Sequence, residues 1–476
     1  MVKWGIIGAG NIAHRFAASL KNEKDATLYA ISGRNRDKLK AFQEEYPCEK
    51  IFVGHEHLLL DAEVDAVYIA LPHHMHCRWV IKALQAHKAV LCEKPAVLNE
   101  AEMIEIAKVA KQNQTLFMEA MKSRFEAAYV KVKELLQQQV LGQIQSIYVE
   151  NCFVLPQESI GKTYHTQKGV GGCLLDSGCY CVNWVNDFFE EEPVIEKVYA
   201  NVRDSIDYYV DAKMKFGNCL GEIVCAFDRK TKSHATIVGE KGKMIVDNPH
   251  RPTTIHLFVN EKEETLDFPY EHDDFFGQIH HFNTLVKEHI IESDVMPLEA
   301  SIRNARIMDM IHENVFDYAD SDLKILEQQE QALAYDSFEE KDAQELGNEV
   351  LRLLPEYDCG IAIRIVREQD AMVLFQSISP EKNEKNIMYA EGKHCAIKKY
   401  GHSSAWYSVA AQLGKCPLEE GILPSGGAFP IYSKRGKLIA SILVSGLHEG
   451  KDHELMVRAI SNITKQAYPD FIKAMR

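Results

Sequence analysis

Short, uninterrupted apolar runs alternate with segments of helical periodicity along the first quarter of the chain. Strands are predicted at Trp4–Gly8, Thr27–Ser32, Ala66–Ala70, Ala89–Cys92 and Thr115–Glu119, with helices at Asn11–Leu20, Arg36–Tyr46, Cys77–Ala86 and Glu100–Gln112. Strands that are apolar throughout are buried on both faces, and their alternation with helices predicts an α/β, doubly wound parallel sheet. Ligands bind such sheets beyond the carboxyl ends of the strands, so the turns that follow strands are where chemistry is to be sought.

After an amphipathic helix at 122–140 the texture becomes β-rich and alternating. The segments Ile144–Phe153, Val194–Arg203, Tyr208–Phe216, Leu220–Phe227, Ser233–Val238 and Thr254–Val259 predict a large, open, mostly antiparallel sheet in an α+β domain. A helical return over Phe275–Phe316 follows. The acidic stretch Asp317–Asp322 reads as a break before a Gln/Glu-rich helix, Leu323–Ala334. A separate C-terminal α/β unit is expected beyond it, with strands Cys359–Val366, Ala371–Gln376 and Leu438–Ser445 and helices Glu339–Leu354, Glu381–Tyr400 and His453–Ala467. The predicted division is 1–121, 122–320 and 321–476.

Composition narrows the class. A chain of 476 residues is too long for one ordinary core. A net charge of −15 argues against nucleic acid or an anionic membrane as the main partner. No apolar run reaches membrane-span length and the N-terminus is itself a strand, so a cytoplasmic location is expected. Of the 12 cysteines, Cys173, Cys179 and Cys181 cluster with a spacing that matches no structural zinc site. The thiols read as reduced core residues, and no metal is expected.

The first strand runs directly into Gly8-Ala9-Gly10-Asn11-Ile12-Ala13 and a helix, the G-x-G-x-x-G/A pattern in its required strand–turn–helix setting. Gly8 permits the turn, Gly10 admits a pyrophosphate, and the first-turn N–H groups around Asn11 and Ile12 face it. Sites for NAD place an acid at the end of the second strand; here that strand ends Ser32-Gly33-Arg34. Arg34 suits a 2′-phosphate and Ser32 supplies a hydroxyl, which favours NADP(H) over NAD, against the plainer reading of solvated charges opening a helix.

Two further turns follow strands: Leu71-Pro72-His73-His74-Met75-His76 and Cys92-Glu93-Lys94-Pro95. Leu71, Pro72, His76, Glu93 and Lys94 are expected beside the cofactor. The three histidines lack an Asp, Glu or Cys to complete a metal set. If Leu174–Trp184 is helical, Asp176, Tyr180 and Asn183 share one face. Such a polar stripe suits a site lining, though it also suits a buried face with satisfied groups.

Together these stretches, with Phe117-Met-Glu-Ala-Met-Lys-Ser-Arg124-Phe125 and Gly171-Gly-Cys-Leu-Leu-Asp176-Ser-Gly-Cys-Tyr180, make residues 1–320 resemble the glucose–fructose oxidoreductase/inositol dehydrogenase (Gfo/Idh/MocA) family. Within it, the chain looks most like the dimeric dihydrodiol dehydrogenase-like branch. The resemblance implies hydride transfer between NAD(P)(H) and a carbinol or carbonyl of a sugar, polyol, dihydrodiol or small dicarbonyl. It implies that Lys94 is essential and that Asp176 and Tyr180 bind substrate and handle the proton, with Arg124 and Asn183 also at the substrate. A phenol ordinarily titrates near about 10, so a nearby Lys94 ammonium is expected to favour the phenolate of Tyr180. His76 is a candidate second ligand to nicotinamide or substrate, and a homo-oligomer formed through the open sheet is expected. The chain departs from the branch at Lys122 and Glu126, where Trp and Pro are usual, which puts the substrate in question.

Residues 321–476 lie outside that family. Their stretches Asp336-Ser-Phe338, Gly401-His402-Ser-Ser, Gly426-Gly427-Ala-Phe-Pro430 and Lys451-Asp452-His453-Glu454 resemble a poorly characterised bacterial and fungal family described as haem-degrading, related to haem-binding sensor modules. His402 and His453 are candidate haem ligands; the alternative is a structural or dimerising module. A second functional class follows, a redox or haem sensor in which the nucleotide-binding unit regulates the C-terminal one.

Overall fold

The continuous apolar runs form a parallel sheet. In the computed structural model, which describes residues 1–189, 191–203, 205–357, 359–413, 415–447 and 450–469, its strands are β1 (Val2–Ile7), β2 (Ala26–Gly33), β3 (Lys50–Val53), β4 (Ala66–Ile69), β5 (Ala89–Cys92) and β6 (Phe117–Glu119). Their order is β3-β2-β1-β4-β5-β6, all pairs parallel. The order reverses between β1 and β4, so a crevice opens there at the strands' carboxyl ends. Strand β3 was absent from the sequence expectation because its four residues, Lys-Ile-Phe-Val, form a half-exposed edge. Val67, Ile69 and Val90 pack on Trp79, Val80, Leu84, Met103 and Ile106 to make the core of one layer.

The second sheet has eight strands: β7 (Ile144–Cys152), β8 (Val194–Arg203), β9 (Ile206–Phe216), β10 (Cys219–Ala226), β11 (His234–Gly239), β12 (Gly242–Asp247), β13 (Thr254–Val259) and β14 (Lys262–Asp267). The order is β14-β13-β12-β11-β7-β10-β9-β8. It is mixed, since β7 pairs parallel with β10 and antiparallel with β11. The charged strand β14 (Lys-Glu-Glu-Thr-Leu-Asp) is almost wholly exposed and carries no apolar alternation to reveal it.

A single helix covers Leu298–Ala332, running through the stretch expected to break it. Asp317–Asp322 contains neither Gly nor Pro, and polar residues alone do not stop a helix that is already nucleated. The chain divides into two compact units, Met1–Val198 with Ile206–Asn314, and Tyr199–Ser205 with Val315–Arg476.

The C-terminal unit contains an antiparallel sheet of β15 (Ala362–Arg367), β16 (Val373–Ile378), β17 (Ala428–Tyr432) and β18 (Leu438–Ser445), ordered β16-β15-β18-β17. Helices Glu340–Leu353, Glu384–Tyr400, Ser404–Gln412 and Lys451–Thr464 accompany it. Ile363, Ile365, Ile442 and Val444 pack with Leu346, Val350, Met456 and Ile460. Strand β17 was missed because it contains Pro430, a residue confined to edge strands, and an edge is where β17 lies. Among the described residues no helix is long and apolar enough to cross a membrane, and none form a metal-binding cluster.

Candidate active site

The crevice begins at the glycines. Gly8 has φ +105°, and a Cβ there would sit 2.4 Å from the carbonyl oxygen of Ala70, so the β1 turn requires glycine. At Gly10 an added Cβ would meet nothing within 4 Å, leaving open space at the start of helix Asn11–Leu20. Among the described residues no side chain caps that helix. Its first-turn N–H groups and positive dipole end are thus available to a phosphate.

A cavity of about 280 Å³ is lined by Gly8, Gly10, Arg34, Lys38, Leu71 and Pro72. Among the described residues no carboxylate lines it, while two cations do. Ser32 departs from expectation. It is fully buried, and its hydroxyl lies 3.3 Å from the Ile6 carbonyl and 2.9 Å from His55 Nδ1. That hydroxyl is committed to the fold, and its partner His55 is the one that lines the cavity.

A second cavity of about 350 Å³ brings Ile12 of the glycine-capped helix together with Glu93, Lys94, Asp176 and Tyr180. Lys94 stands just after β5. Its Nζ donates to Asp176 Oδ1 at 2.9 Å and to the Asp176 carbonyl at 2.7 Å, and lies 5.0 Å from the centre of the Tyr180 ring. Burial pushes the Lys94 ammonium down, but attraction to Asp176 and its neighbours outweighs this and holds it well above its ordinary value. For Asp176, burial pushes up while Lys94, His165 and His73 pull harder, and the carboxyl falls to about 2. At neutral pH the pair is ionised.

Leu174–Gly178 winds as a π turn before the α-helix Cys179–Phe188 begins. Asp207 fixes its start by accepting from the Leu174 N–H at 2.7 Å. Asp176 and Tyr180 both reach the cavity, but Asn183, three residues further along the α-helix, is not in its lining. Asn183 is fully buried and accepts from Arg124 Nε at 2.7 Å. Arg124 in turn pairs with Asp187 at 3.0 Å and donates to the Val295 carbonyl. Both residues, expected at the substrate, instead tie helices together.

His76 is likewise buried, with its ring nitrogens 2.9 Å from the Pro95 carbonyl and 2.7 Å from the Leu71 carbonyl. It lies between the two strand-end turns and is not in the lining of either cavity. The imidazoles near the ion pair are His73, weighed in the sequence only as one of three clustered histidines, and His165, which no motif singled out. His165 Nε2 lies 3.8 Å from Asp176 Oδ2, and His73 packs edge-on against Tyr164 at 4.8 Å. Glu93 accepts from the Tyr68 hydroxyl, and burial raises its carboxyl. Tyr180 also corrects an expectation. Burial outweighs the pull of Lys94 and raises its hydroxyl above the ordinary phenol range, which favours the neutral phenol over the phenolate.

A third cavity, about 540 Å³, lies in the C-terminal unit and includes Glu330, His402, Tyr432 and Lys434 in its lining. His402 Nδ1 is 2.7 Å from Glu330 Oε2, and its ring stacks on Trp406 at 4.2 Å. His453 is buried and lies 2.9 Å from Gln329 Oε1. The two histidines are therefore not equivalent, and only His402 lines the cavity.

A phosphate-ready helix whose second residue shares a cavity with an ionised lysine and a neutral tyrosine is equipped to hold a dinucleotide beside a proton donor. That combination on a Rossmann sheet defines an NAD(P)-dependent dehydrogenase or reductase. Residues 2–121 match the profile of the oxidoreductase family with an NAD-binding Rossmann fold, and 129–245 match the GFO/IDH/MocA C-terminal domain. The chain belongs to the GFO/IDH/MocA oxidoreductase family.

Its N-terminal two thirds are 30% identical over 324 residues to trans-1,2-dihydrobenzene-1,2-diol dehydrogenase of Xenopus tropicalis, spanning 64% of this chain and 96% of that one. The human protein of the same name is 28% identical, with 66% and 97% covered. Among solved structures, a 3-ketoreductase from Actinomadura kijaniata in complex with NADP and TDP-benzene superposes with TM-score 0.60 at 24% identity, over 66% of this chain and 98% of that one. Aldose-aldose oxidoreductase from Caulobacter crescentus, complexed with glycerol, gives 0.61 at 19%, over 67% and 98%. Residues 338–461 match the profile of the haem degrading protein HbpS-like family.

Proposed function

We propose that the chain transfers hydride between NADP(H) and a carbinol or carbonyl carbon of a small polar substrate. The observation that carries this reading is that Ile12, Lys94, Asp176 and Tyr180 share one cavity. Gly8, Gly10, Asn11, Ile12, Leu71 and Pro72 would hold the dinucleotide's phosphates and ribose. Arg34 and Lys38, with no carboxylate beside them in the cavity lining, support a 2′-phosphate and hence NADP(H). Bound nicotinamide gives or takes the hydride at the reacting carbon.

The protein's own residues handle the proton. In the reducing direction the neutral phenol of Tyr180 donates to the carbonyl oxygen as negative charge develops there. Lys94, fixed by Asp176, stabilises that developing oxyanion and the phenolate left behind. Microscopic reversibility gives the oxidising direction, with Tyr180 accepting the carbinol proton. The test is a panel of sugars, polyols, dihydrodiols and dicarbonyls followed at the nicotinamide absorbance, with NADPH and NADH in parallel. Turnover with NADPH preferred is expected; clear preference for NADH would sink the reading of Arg34.

For the C-terminal unit, the family match supports haem as the ligand to test at the 540 Å³ cavity, with His402 as the residue to test it through. Haemin added to the full chain should give a Soret band that His402→Ala removes and His453→Ala keeps. No band in the parent protein would discard haem there.

A further inference from the structure

The wall of the 350 Å³ cavity that includes Arg15, Lys122 and Arg251 carries charge that the proton-handling residues do not use. All three cations converge on one carboxylate, Asp274. Arg15 Nη2 pairs with its Oδ1, while Lys122 Nζ pairs with Oδ2 and Arg251 Nε lies 3.1 Å from that same oxygen. Phe275 packs beneath them, its ring centre 4.4 Å from the Arg15 guanidinium and 5.1 Å from Lys122 Nζ.

Among the other groups of the lining, Glu93 is a further carboxyl within electrostatic reach of Lys122, and burial raises it above its ordinary value. The Lys94–Asp176 pair is self-compensating. Burial lifts the Glu126 carboxyl to about 8, and Asp274 adds to the effect, so at pH 7 that group is mostly protonated. His250 lines the cavity with its ring centre 5.9 Å from that of Tyr180. It is held to about 3 by burial and by Lys122 and Arg251, and so is neutral; among the described residues its buried Nδ1 has no hydrogen-bond partner. Burial presses Lys122 down to about 8, which leaves it mostly protonated at pH 7. Three cations share one carboxylate, Asp274, on this wall of the cavity, so the cationic donors outnumber the carboxylate they surround.

A neutral polyol or dihydrodiol would add no counter-charge to that wall beyond Asp274. We propose that the substrate carries an oxyanion, a carboxylate or a phosphate, seated on Lys122, Arg251 and Arg15 while its carbinol or carbonyl carbon lies at Lys94 and Tyr180. The proposal rests on the oxidoreductase reading and names the substrate class for it. It also gives a role to Lys122, one of the positions at which the chain departs from the dihydrodiol dehydrogenase-like pattern.

The test uses the full chain saturated with NADP+ and calorimetric binding of glucose, glucuronate and glucose 6-phosphate at fixed ionic strength. At least one of the two anions should bind about tenfold or more tightly than glucose, the size expected of a charge-assisted contact. That preference should shrink to a few-fold in Lys122→Met and in Arg251→Gln. Because Lys122 is buried and its loss risks misfolding, the half-exposed Arg251 keeps the test decisive. A carboxylate seat favours glucuronate and a phosphate seat glucose 6-phosphate.

Equal binding of all three, no binding of either anion, or a preference that survives both substitutions would overturn the proposal. So would a preference seen only without NADP+, which would assign the cluster to the cofactor's own phosphates. The two readings fail separately. Anion preference in binding with no turnover at the nicotinamide absorbance counts against the oxidoreductase; turnover that is equal for neutral and anionic substrates counts against the anion seat alone.

Discussion

Each unit of the chain contains a buried lysine–aspartate pair, and the two have different surroundings. Lys94 and Asp176 meet at 2.9 Å with side chains 14% and 16% exposed, on the wall of a cavity. Lys393, on helix Glu384–Tyr400, meets Asp452, on helix Lys451–Thr464, at 2.7 Å with side chains 7% and 4% exposed. Lys393 Nζ also lies 3.3 Å from the Val444 carbonyl, and Asp452 accepts from the Leu447 N–H. Neither lines the 540 Å³ cavity of their unit. The first pair keeps a lysine and a carboxylate at the edge of a space a substrate can enter; the second spends the same chemistry on fastening two helices to a strand. An ion pair is therefore no sign of a site until the space beside it is known.

The largest effects should separate the pairs by what fails. Lys94→Ala should lower kcat about a hundredfold or more. NADPH affinity should change only a few-fold, because the phosphates are held elsewhere. Lys393→Met should leave turnover per folded molecule within about twofold, yet cost about 3–5 kcal/mol of stability, the usual penalty for stranding one member of a buried pair. Steady-state rates and urea midpoints on both variants decide this. If Lys393→Met damages turnover as badly as Lys94→Ala, or if Lys94→Ala is near normal, the distinction collapses.

A smaller effect concerns the cofactor. Arg34→Leu should reduce kcat/KM with NADPH by roughly tenfold to hundredfold, equivalent to losing a charge-assisted contact of about 1.5–3 kcal/mol, and leave NADH within a few-fold. By contrast Ser32→Ala should move both cofactors together, through the packing of β1 against β2, because its hydroxyl faces Ile6 and His55. A selective loss of NADPH in Ser32→Ala would show the hydroxyl reaching the phosphate after all.

What the sequence showed and what it hid divide along one physical line. The glycine turn, Lys94, Asp176 and Tyr180 were legible because each sits in a local motif at a strand end or helix start whose geometry follows from neighbours in the chain. Ser32, His76, Arg124 and Asn183 looked the same in one dimension. Sequence patterning reports that a polar side chain is buried but not whether it bonds to protein or faces a cavity. The Asp274 cluster was invisible for a related reason, since Lys122 and Asp274 are 152 residues apart and only the fold joins them. Strand β14 and the unbroken helix Leu298–Ala332 were hidden where apolar periodicity, the signal used for both, is weak or absent.

The smallest expected effect is the acid response of the two pairs, and it has opposite signs. Asp176 is held at about 2, below its ordinary 3.8, so the stability it contributes is present above 3.8 and is lost as pH falls toward 2; the difference corresponds to about 2 kcal/mol. In Asp452 burial outweighs Lys393 and raises the carboxyl above 3.8, so its protonation-linked contribution is fully present below 3.8 and is lost as pH rises through its folded value. Lowering the pH from 4 to 2.5 should therefore weaken hydrogen-exchange protection around Leu174–Phe188, with no matching loss around Lys451–Thr464 traceable to Asp452. Asp176→Asn should abolish the pH-dependent part of the first response while leaving the second unchanged. If Asp176→Asn keeps the full acid sensitivity of its own helix, the Lys94–Asp176 pair is not the ionised couple on which its catalytic assignment depends.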